Sequence, residues 1–229
     1  MTNKEFVRLL ENISKMKTYY IKGGFGHVLK ASNKKRLIDQ YKYNKDRADK
    51  INALDPSTFA FDCCGLIKGA LWGFTGDRTK AYGGAVYKAN ELRDENESGL
   101  LKLCKNVTTD LNKKEVGDFL YMSGHCGIYA GNGKVIECTP AGKCGVQITD
   151  FNRVKWTKCG KLPFINYEET PTPAPVPAQV NIYHIVRRGE SLSKIAAMHG
   201  FKNWRDLWAL NPEIKNPNLI FVGQRIKIK

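Results

Sequence analysis

Residues 61–74 read FDCCGLIKGALWGF, two adjacent cysteines set between an aspartate and an apolar run. A cysteine becomes a nucleophile when a base takes its proton and a third group holds that base. The chain offers four histidines as bases. His184 and His199 lie close to the C-terminal end, His27 follows a glycine turn, and His125 stands in GHCGIY at the start of an expected strand. His125 is the first candidate and His27 the second. Leu66, Ile67, Ala70, Leu71 and Phe74 recur as the buried face of a helix, and Asp62 suits its N-cap. Cys63 is then the first helical residue, where the partial positive charge of the helix end favours a thiolate. An imidazolium partner takes such a thiol from about 8.5 to roughly 3–4, about 6 kcal/mol in favour of the ion pair. Cys64 points about 100° further around the helix, so the spacing predicts that the two do not share a groove. The competing use of both is as small buried fillers.

The third group follows from strand register. His125 and Glu137 are twelve residues apart across GNGK. A plain two-residue loop at Asn132-Gly133 would pair Glu137 with Ile128 and put it on the face away from His125. A three-residue loop or a bulge would pair it with Gly127, and the two side chains would become diagonal neighbours about 7–8 Å apart at the backbone, within a glutamate's reach. An orienting role for Glu137 therefore demands the odd register. Otherwise Glu137 is a solvent-facing strand residue.

These residues need elements to hold them. Phe6, Leu9, Leu10 and Ile13 recur at helical steps. YYIKGGFG marks a tight backbone at glycines 23, 24 and 26, and residues 30–55 read as loops and short helices. From 117 onward, GDFLYMSGHCGIYAGNGKVIECTP alternates and turns at glycines, as antiparallel strands do, and GVQITDF and KCGKLPFI are further strands. Helices first and a sheet second predict an α+β fold. The cysteines Cys63, Cys64, Cys104, Cys126, Cys138, Cys144 and Cys159 make an odd count, which argues for reduced thiols. A zinc site on Cys138, Cys144 and His125 is the competing idea, but no C-x-x-C pair supports it. No metal and no cofactor are expected.

The 229 residues carry a net charge of +15, split as +11 over 1–167, −2 over 168–181 and +6 over 182–229. Such an excess favours an anionic partner or simply a solvated surface. No nucleic-acid motif accompanies it. No apolar stretch approaches the roughly 20 residues of a membrane span. The start, MTNKEFVRLLENISKMK, scatters charge through any would-be signal peptide. The expectation is synthesis in a bacterial host's cytoplasm, with action at the wall after lysis or as part of a phage particle. EETPTPAPVPAQV alternates prolines as an extended tether does, so the expected organisation is a domain at 1–167, a linker at 168–181 and a module at 182–229.

FDCCGLIKG resembles the DCSG box, and GHCGIYAGNGKVIECTP the histidine box, of the NlpC-type cell-wall cysteine peptidases, a papain-like family. YYIKGGFG is similar to the family's YxxGG box and GDFLYM to the strand leading to the histidine. The resemblance covers roughly residues 15–160. It implies Cys63 as nucleophile with Cys64 in the usual serine place, His125 as base, Glu137 as third member where histidine is more frequent, and Tyr20 beside the oxyanion. The tail from Tyr183 resembles a LysM module, which implies a strand–helix–helix–strand unit that binds N-acetylglucosamine-containing glycans. The matching loops are Gly189, Glu190, Ser191 and Leu192, and Asn216, Pro217, Asn218, Leu219 and Ile220. Independently, Leu192, Ile195, Ala196 and Ala197 mark one amphipathic helix, and Leu207, Trp208 and Leu210 a second that Asn211-Pro212 stops. Trp204 and Trp208 stand at helical spacing, which favours packing over sugar stacking.

Both resemblances point to one polymer. The expected function is a peptidoglycan endopeptidase cutting stem peptides next to D-glutamate, a monomer targeted to the wall by LysM. The rivals are an N-acetylmuramoyl-L-alanine amidase with the same Cys/His site, a catalytically inactive wall-binding phage component, and a nucleic-acid binder driven by charge.

Overall fold

A computed structural model describes residues 1–167 and 182–228; the proline-rich tether expected at 168–181 lies outside the described residues. The chain divides into two compact units, Met1–Glu168 and Glu169–Lys229.

The first unit opens with α1 (Asn3–Ser14), started by a capping box in which Thr2 Oγ1 accepts from the Glu5 amide and the Glu5 carboxylate accepts from the Thr2 amide. Its Phe6, Leu10 and Ile13 are fully buried. Next come β1 (Thr18–Tyr20), β2 (Phe25–Val28), the short helices α2 (Ala31–Gln40), α3 (Lys42–Lys45) and α4 (Ala48–Asn52), and β3 (Phe59–Phe61). The three strands form a small sheet in the order β1-β3-β2, with β1 parallel and β2 antiparallel to β3. Helix α5 (Cys63–Leu71) leaves β3 directly, and α6 (Glu97–Leu103) follows.

The larger sheet is built from β4 (Lys105–Thr108), β5 (Phe119–Met122), β6 (His125–Gly131), β7 (Lys134–Thr139), β8 (Gly145–Asp150) and β9 (Lys158–Lys161). Its strand order is β4-β9-β5-β6-β7-β8, antiparallel throughout. Alternation along β6 and β7 sends Cys126, Ile128, Ile136 and Cys138 into the main core with α5, and Val135 into a second cluster with Leu120 and Trp156. The architecture is α+β.

Two glycines on one face of α5 set how closely it packs. A Cβ at Gly65 would meet the Gly24 carbonyl oxygen at 1.8 Å, and one at Gly69 would meet the Phe25 carbonyl oxygen at 2.4 Å. The helix therefore lies against the main chain of the Gly23-Gly24 turn and of β2 at a distance no side chain would allow.

The β6–β7 hairpin has a two-residue turn, Asn132-Gly133, with positive φ at both positions (50° and 67°). Ile128 pairs with Ile136 and Tyr129 with Val135, but Gly131 pairs with Lys134, so the register shifts between Tyr129 and Gly131. The bulge supplies the odd residue, and continuing the register inward sets Glu137 opposite Gly127.

The second unit is β10 (Tyr183–Ile185), α7 (Leu192–Met198), α8 (Trp204–Ala209) and β11 (Arg225–Lys227), with the two strands antiparallel. Leu192, Ile195, Leu207 and Ile226 lie in its small core. Ser191 caps α7 and Asn203 caps α8. The fully buried Asn211 ends α8 and ties it to β11: its amide donates to the carbonyls of Leu207 and Lys227, and its Oδ1 accepts from the Lys227 amide. Leu210, expected on the second helix's apolar face, lies past its end and is exposed.

Candidate active site

Asp62 joins β3 to α5 and fixes where the helix begins. One carboxylate oxygen accepts from the Gly65 amide at 2.6 Å, as an N-cap does, and the other accepts from the Gly23 amide at 2.7 Å. A single side chain thus clamps the helix start to the glycine turn. Burial, followed by the charge of Cys63, lifts its pKa to about 6 against the pull of those two amides.

Cys63 is the first residue of α5 and lines a groove of about 540 Å³ with Tyr20, Tyr43, Asp62, Asn96 and Gly124 among its walls. The thiol is held far below the ordinary range, first by hydrogen bonds from Cys126 and Cys64 and then by His125, against the cost of burial. Cys64 and Cys126 are pushed the other way, so they stay protonated and donate to the Cys63 sulfur. His125 sits at the first position of β6, where its Nε2 bonds Glu137 Oε2 and its charge is coupled to that of Cys63. Nδ1 is the ring nitrogen left to serve the sulfur. Burial disfavours the imidazolium, but Cys63 and Glu137 outweigh it and raise the pKa to about 9. The Trp156 ring stacks on the imidazole, centroids 5.6 Å apart and planes 23° from parallel.

The Glu137 side chain is fully buried. Besides His125, its carboxylate accepts from Thr149 Oγ1 and from Arg153, Nε to Oε1 at 2.9 Å and Nη2 to Oε2 at 2.6 Å. Burial raises its pKa, yet these donors prevail and bring it to about 2. A carboxylate ionised this firmly orients the imidazole and stabilises its charged form. Tyr20 lines the groove beside Cys63, and burial with the nearby Cys63 and Asp62 charges keeps its hydroxyl protonated.

Several expectations need correction. Cys63 and Cys64 both line the groove, with sulfurs 3.9 Å apart, because the two residues begin a helix whose first turn opens onto it. His27, the second candidate base, is fully buried, and its ring nitrogens are engaged by the Phe25 amide and the Arg36 guanidinium. Burial and then Arg36 take its pKa down to about 3, which leaves a poor proton acceptor. The proposed zinc ligands do not converge: Cys138 donates to the Phe61 carbonyl, Cys144 contacts Arg47, and His125 belongs to the Cys63 site.

In the second unit, Glu190, Ser191, Leu192, Pro217, Asn218 and Ile220 line a shallow groove of about 280 Å³, joined by Ser193 and Trp204. Gly189, Asn216 and Leu219 do not line it. Gly189 takes a turn at φ 85°, Asn216 folds back to accept from the Asn218 amide, and Leu219 faces solvent. Trp204 does two things at once, packing against the small core and walling the groove, whereas Trp208 ties its indole N–H to the Ile214 carbonyl.

Against known families, the NlpC/P60 family model matches residues 39–161, more than half of the chain. The chain belongs to the NlpC/P60 family. A LysM domain model matches residues 184–229. The chain is 49% identical over 45 residues to an endolysin of Bacillus phage B103, a match spanning 20% of this chain and 17% of that protein. Among solved structures, NlpC1 from Trichomonas vaginalis aligns at 15% identity over 69% of this chain and 43% of its own, with a TM-score of 0.39. The P60 domain of an antigen from M. avium subspecies paratuberculosis aligns at 14% identity over 72% of this chain and 96% of its own, TM-score 0.41.

Besides Trp156, stacked on His125, three neighbours in the NlpC/P60 site escape sequence reasoning. Thr149 carries a usable signal, since it shares a face with Gln147, the β8 partner of Glu137. Arg153 follows that strand in a single turn of 3-10 helix, where spacing says nothing about direction. Cys126 is read as a strand residue only, although the residue after a face-pointing His125 must turn inward toward α5.

Proposed function

We propose that this NlpC/P60 protein is a cysteine endopeptidase that hydrolyses peptidoglycan stem peptides next to D-glutamate. The observation that carries the reading is the chain of contacts from Cys63, at the start of α5, through His125 to the buried Glu137, set beside an open groove. The Cys63 thiolate attacks the amide carbonyl, and the His125 imidazolium gives its proton to the leaving amine. His125 then takes a proton from water, which hydrolyses the acyl-enzyme and frees the thiol. Asp62 takes the Gly65 amide, and the amides of Cys63 and Cys64 before it have no helical acceptor of their own. They and the protonated Tyr20 hydroxyl are suited to hold the oxyanion.

The LysM unit adds a hold on the glycan of the same polymer, and tethering the two raises the effective concentration of peptide at Cys63. The positive charge suits a wall bearing anionic polymers. The phage relative fits a chain made inside the bacterium and active on the wall after release.

Mass spectrometry of digested peptidoglycan tests the reading. New amino groups on the residue after D-glutamate, absent with Cys63→Ala, are expected. Free L-alanine ends would instead identify an amidase, and wall clearance by Cys63→Ala at the native rate would remove Cys63 from the chemistry.

A further inference from the structure

Peptide hydrolysis uses one sulfur at the start of α5, but three are gathered there. Cys64 Sγ lies 3.9 Å from Cys63 Sγ and 3.6 Å from Cys126 Sγ, and all three fall within 4.8 Å of one another. Among the described residues this is the one group of three or more histidine, cysteine and acidic side chains whose donor atoms come so close. All are free thiols.

The spacing has a chemical meaning. A tetrahedral zinc ion with Zn–S bonds of about 2.3 Å spans S–S edges of about 3.8 Å. The two shorter edges here bracket that figure, and the third closes with a small rotation of one cysteine side chain. The fourth position is left to water from the groove that Cys63 and Cys64 line. Three thiolates select soft, closed-shell cations over magnesium or calcium, which take oxygen ligands. Cys63 and Cys64 both line the groove, so an ion has a path in, and the fully buried Cys126 forms the floor.

We propose that Cys63, Cys64 and Cys126 form a three-thiolate site for a thiophilic divalent cation, Zn²⁺ or Cd²⁺, and that its occupation silences the nucleophile. Cys64 and Cys126 each release a proton to solvent, Cys63 enters as the thiolate it already is, every sulfur gives a lone pair to the ion, and no electron is transferred. A chelator that removes the ion restores the thiol and the activity.

Titration of the reduced full-length protein with Cd²⁺ tests this directly. A cadmium–thiolate charge-transfer band is expected in the ultraviolet, saturating at one ion per chain, displaced by Zn²⁺ and abolished by EDTA. Cys126→Ala and, separately, Cys64→Ala should weaken Cd²⁺ binding at least about tenfold. The Zn²⁺ concentration that halves each variant's own metal-free rate of wall lysis should rise in parallel. Thermal unfolding gives a second readout: Cd²⁺ should raise the midpoint of the native chain and do so far less in either variant. Cadmium bound without a thiolate band, or unchanged affinity in both variants, would overturn the site. The spectroscopic readout is independent of hydrolysis, so a failure of the peptidase reading would show separately as absent lysis in metal-free protein.

Discussion

Arg153 grips Glu137 through two bonds, Nε to Oε1 and Nη2 to Oε2, and His125 Nε2 shares that same Oε2. The carboxylate is therefore fixed before it fixes the imidazole. Removing the guanidinium leaves a fully buried acid with its charge less balanced and free to turn. Arg153→Ala is expected to lower kcat on soluble stem-peptide fragments about tenfold or more with little change in KM, since the loss falls on orientation of the acid–base group. Arg153→Lys should recover only part, because an ammonium cannot reproduce the two-pronged contact. An unchanged kcat in Arg153→Ala would show that Thr149 alone suffices to hold Glu137.

The raised pKa of His125 sets an alkaline limit on the reaction. In the proposed mechanism the imidazolium persists below a pH of about 9 and protonates the leaving amine, and above it the proton is gone and the rate should fall. The kcat/KM profile on a soluble fragment should therefore lose activity as pH rises through about 9. Glu137→Gln removes one of the two groups that lift this pKa, so the falling limb should move to lower pH. A limb that stays in place in that variant would detach Glu137 from the imidazole's protonation.

Glu137 also ties folding to pH. Its folded pKa, about 2, lies below the ordinary 4.5, so its contribution to stability is complete above 4.5 and is lost as pH falls toward 2. Urea unfolding of the native chain and of Glu137→Gln should show their stability difference shrinking steadily from pH 5 to pH 2.5. A difference independent of pH would mean that packing, not charge, is what the glutamate supplies.

Most of this site is legible in the sequence because its parts are tied to local rules. An aspartate before an apolar helical run places a capped helix start, and that alone puts Cys63 where a thiolate is favoured. His125 and Glu137 can be joined on paper only by assuming an odd register, and the bulge after Tyr129 is what provides it. A bulge carries no reliable residue signature beyond its glycine, so spacing shows that the odd register is needed without showing where the extra residue sits. The sharing of one groove by Cys63 and Cys64 runs against the helical spacing, because angular separation says little at the first turn, where there is no preceding turn to cover either side chain. Strands β1, β2 and β3 are only three or four residues long, half-buried throughout in β1 and buried throughout in β2 and β3, and leave no alternation to read.

Gly65 offers a test of the scaffold itself. The Gly24 carbonyl oxygen would lie 1.8 Å from an added Cβ, and this oxygen already accepts the Asp62 amide. Neither backbone can give way without disturbing the cap. Gly65→Ala should destabilise the first unit by about 1–3 kcal/mol, as overpacking does. The loss in midpoint would be about 2–4 °C per kcal/mol for a domain of this size. Because α5 carries Cys63, the rate of reaction with a small alkylating agent should drop along with wall lysis. Native stability and thiol reactivity in this variant would show that the helix does not need its close seat.

Trp204 is the sharpest probe of the second unit because it faces two ways. Its ring packs beside Trp208, centroids 6.0 Å apart, against the small core, and its exposed edge walls the groove formed by the Glu190–Ser193 and Pro217–Ile220 loops. A flat aromatic wall next to backbone and amide donors suits the apolar face and acetamido group of an N-acetylated sugar. Asn218→Ala alters the groove while leaving the core untouched, whereas Trp204→Ala alters both. Wall pull-down should fall in each variant, with the thermal midpoint lowered only in Trp204→Ala. Turnover of small soluble stem peptides, which have no glycan to hold, should match the native chain in both. If Asn218→Ala binds wall material as tightly as the native protein does, the groove is not where the glycan sits, and the exposed apolar residues Phe221 and Val222 become the next surface to test.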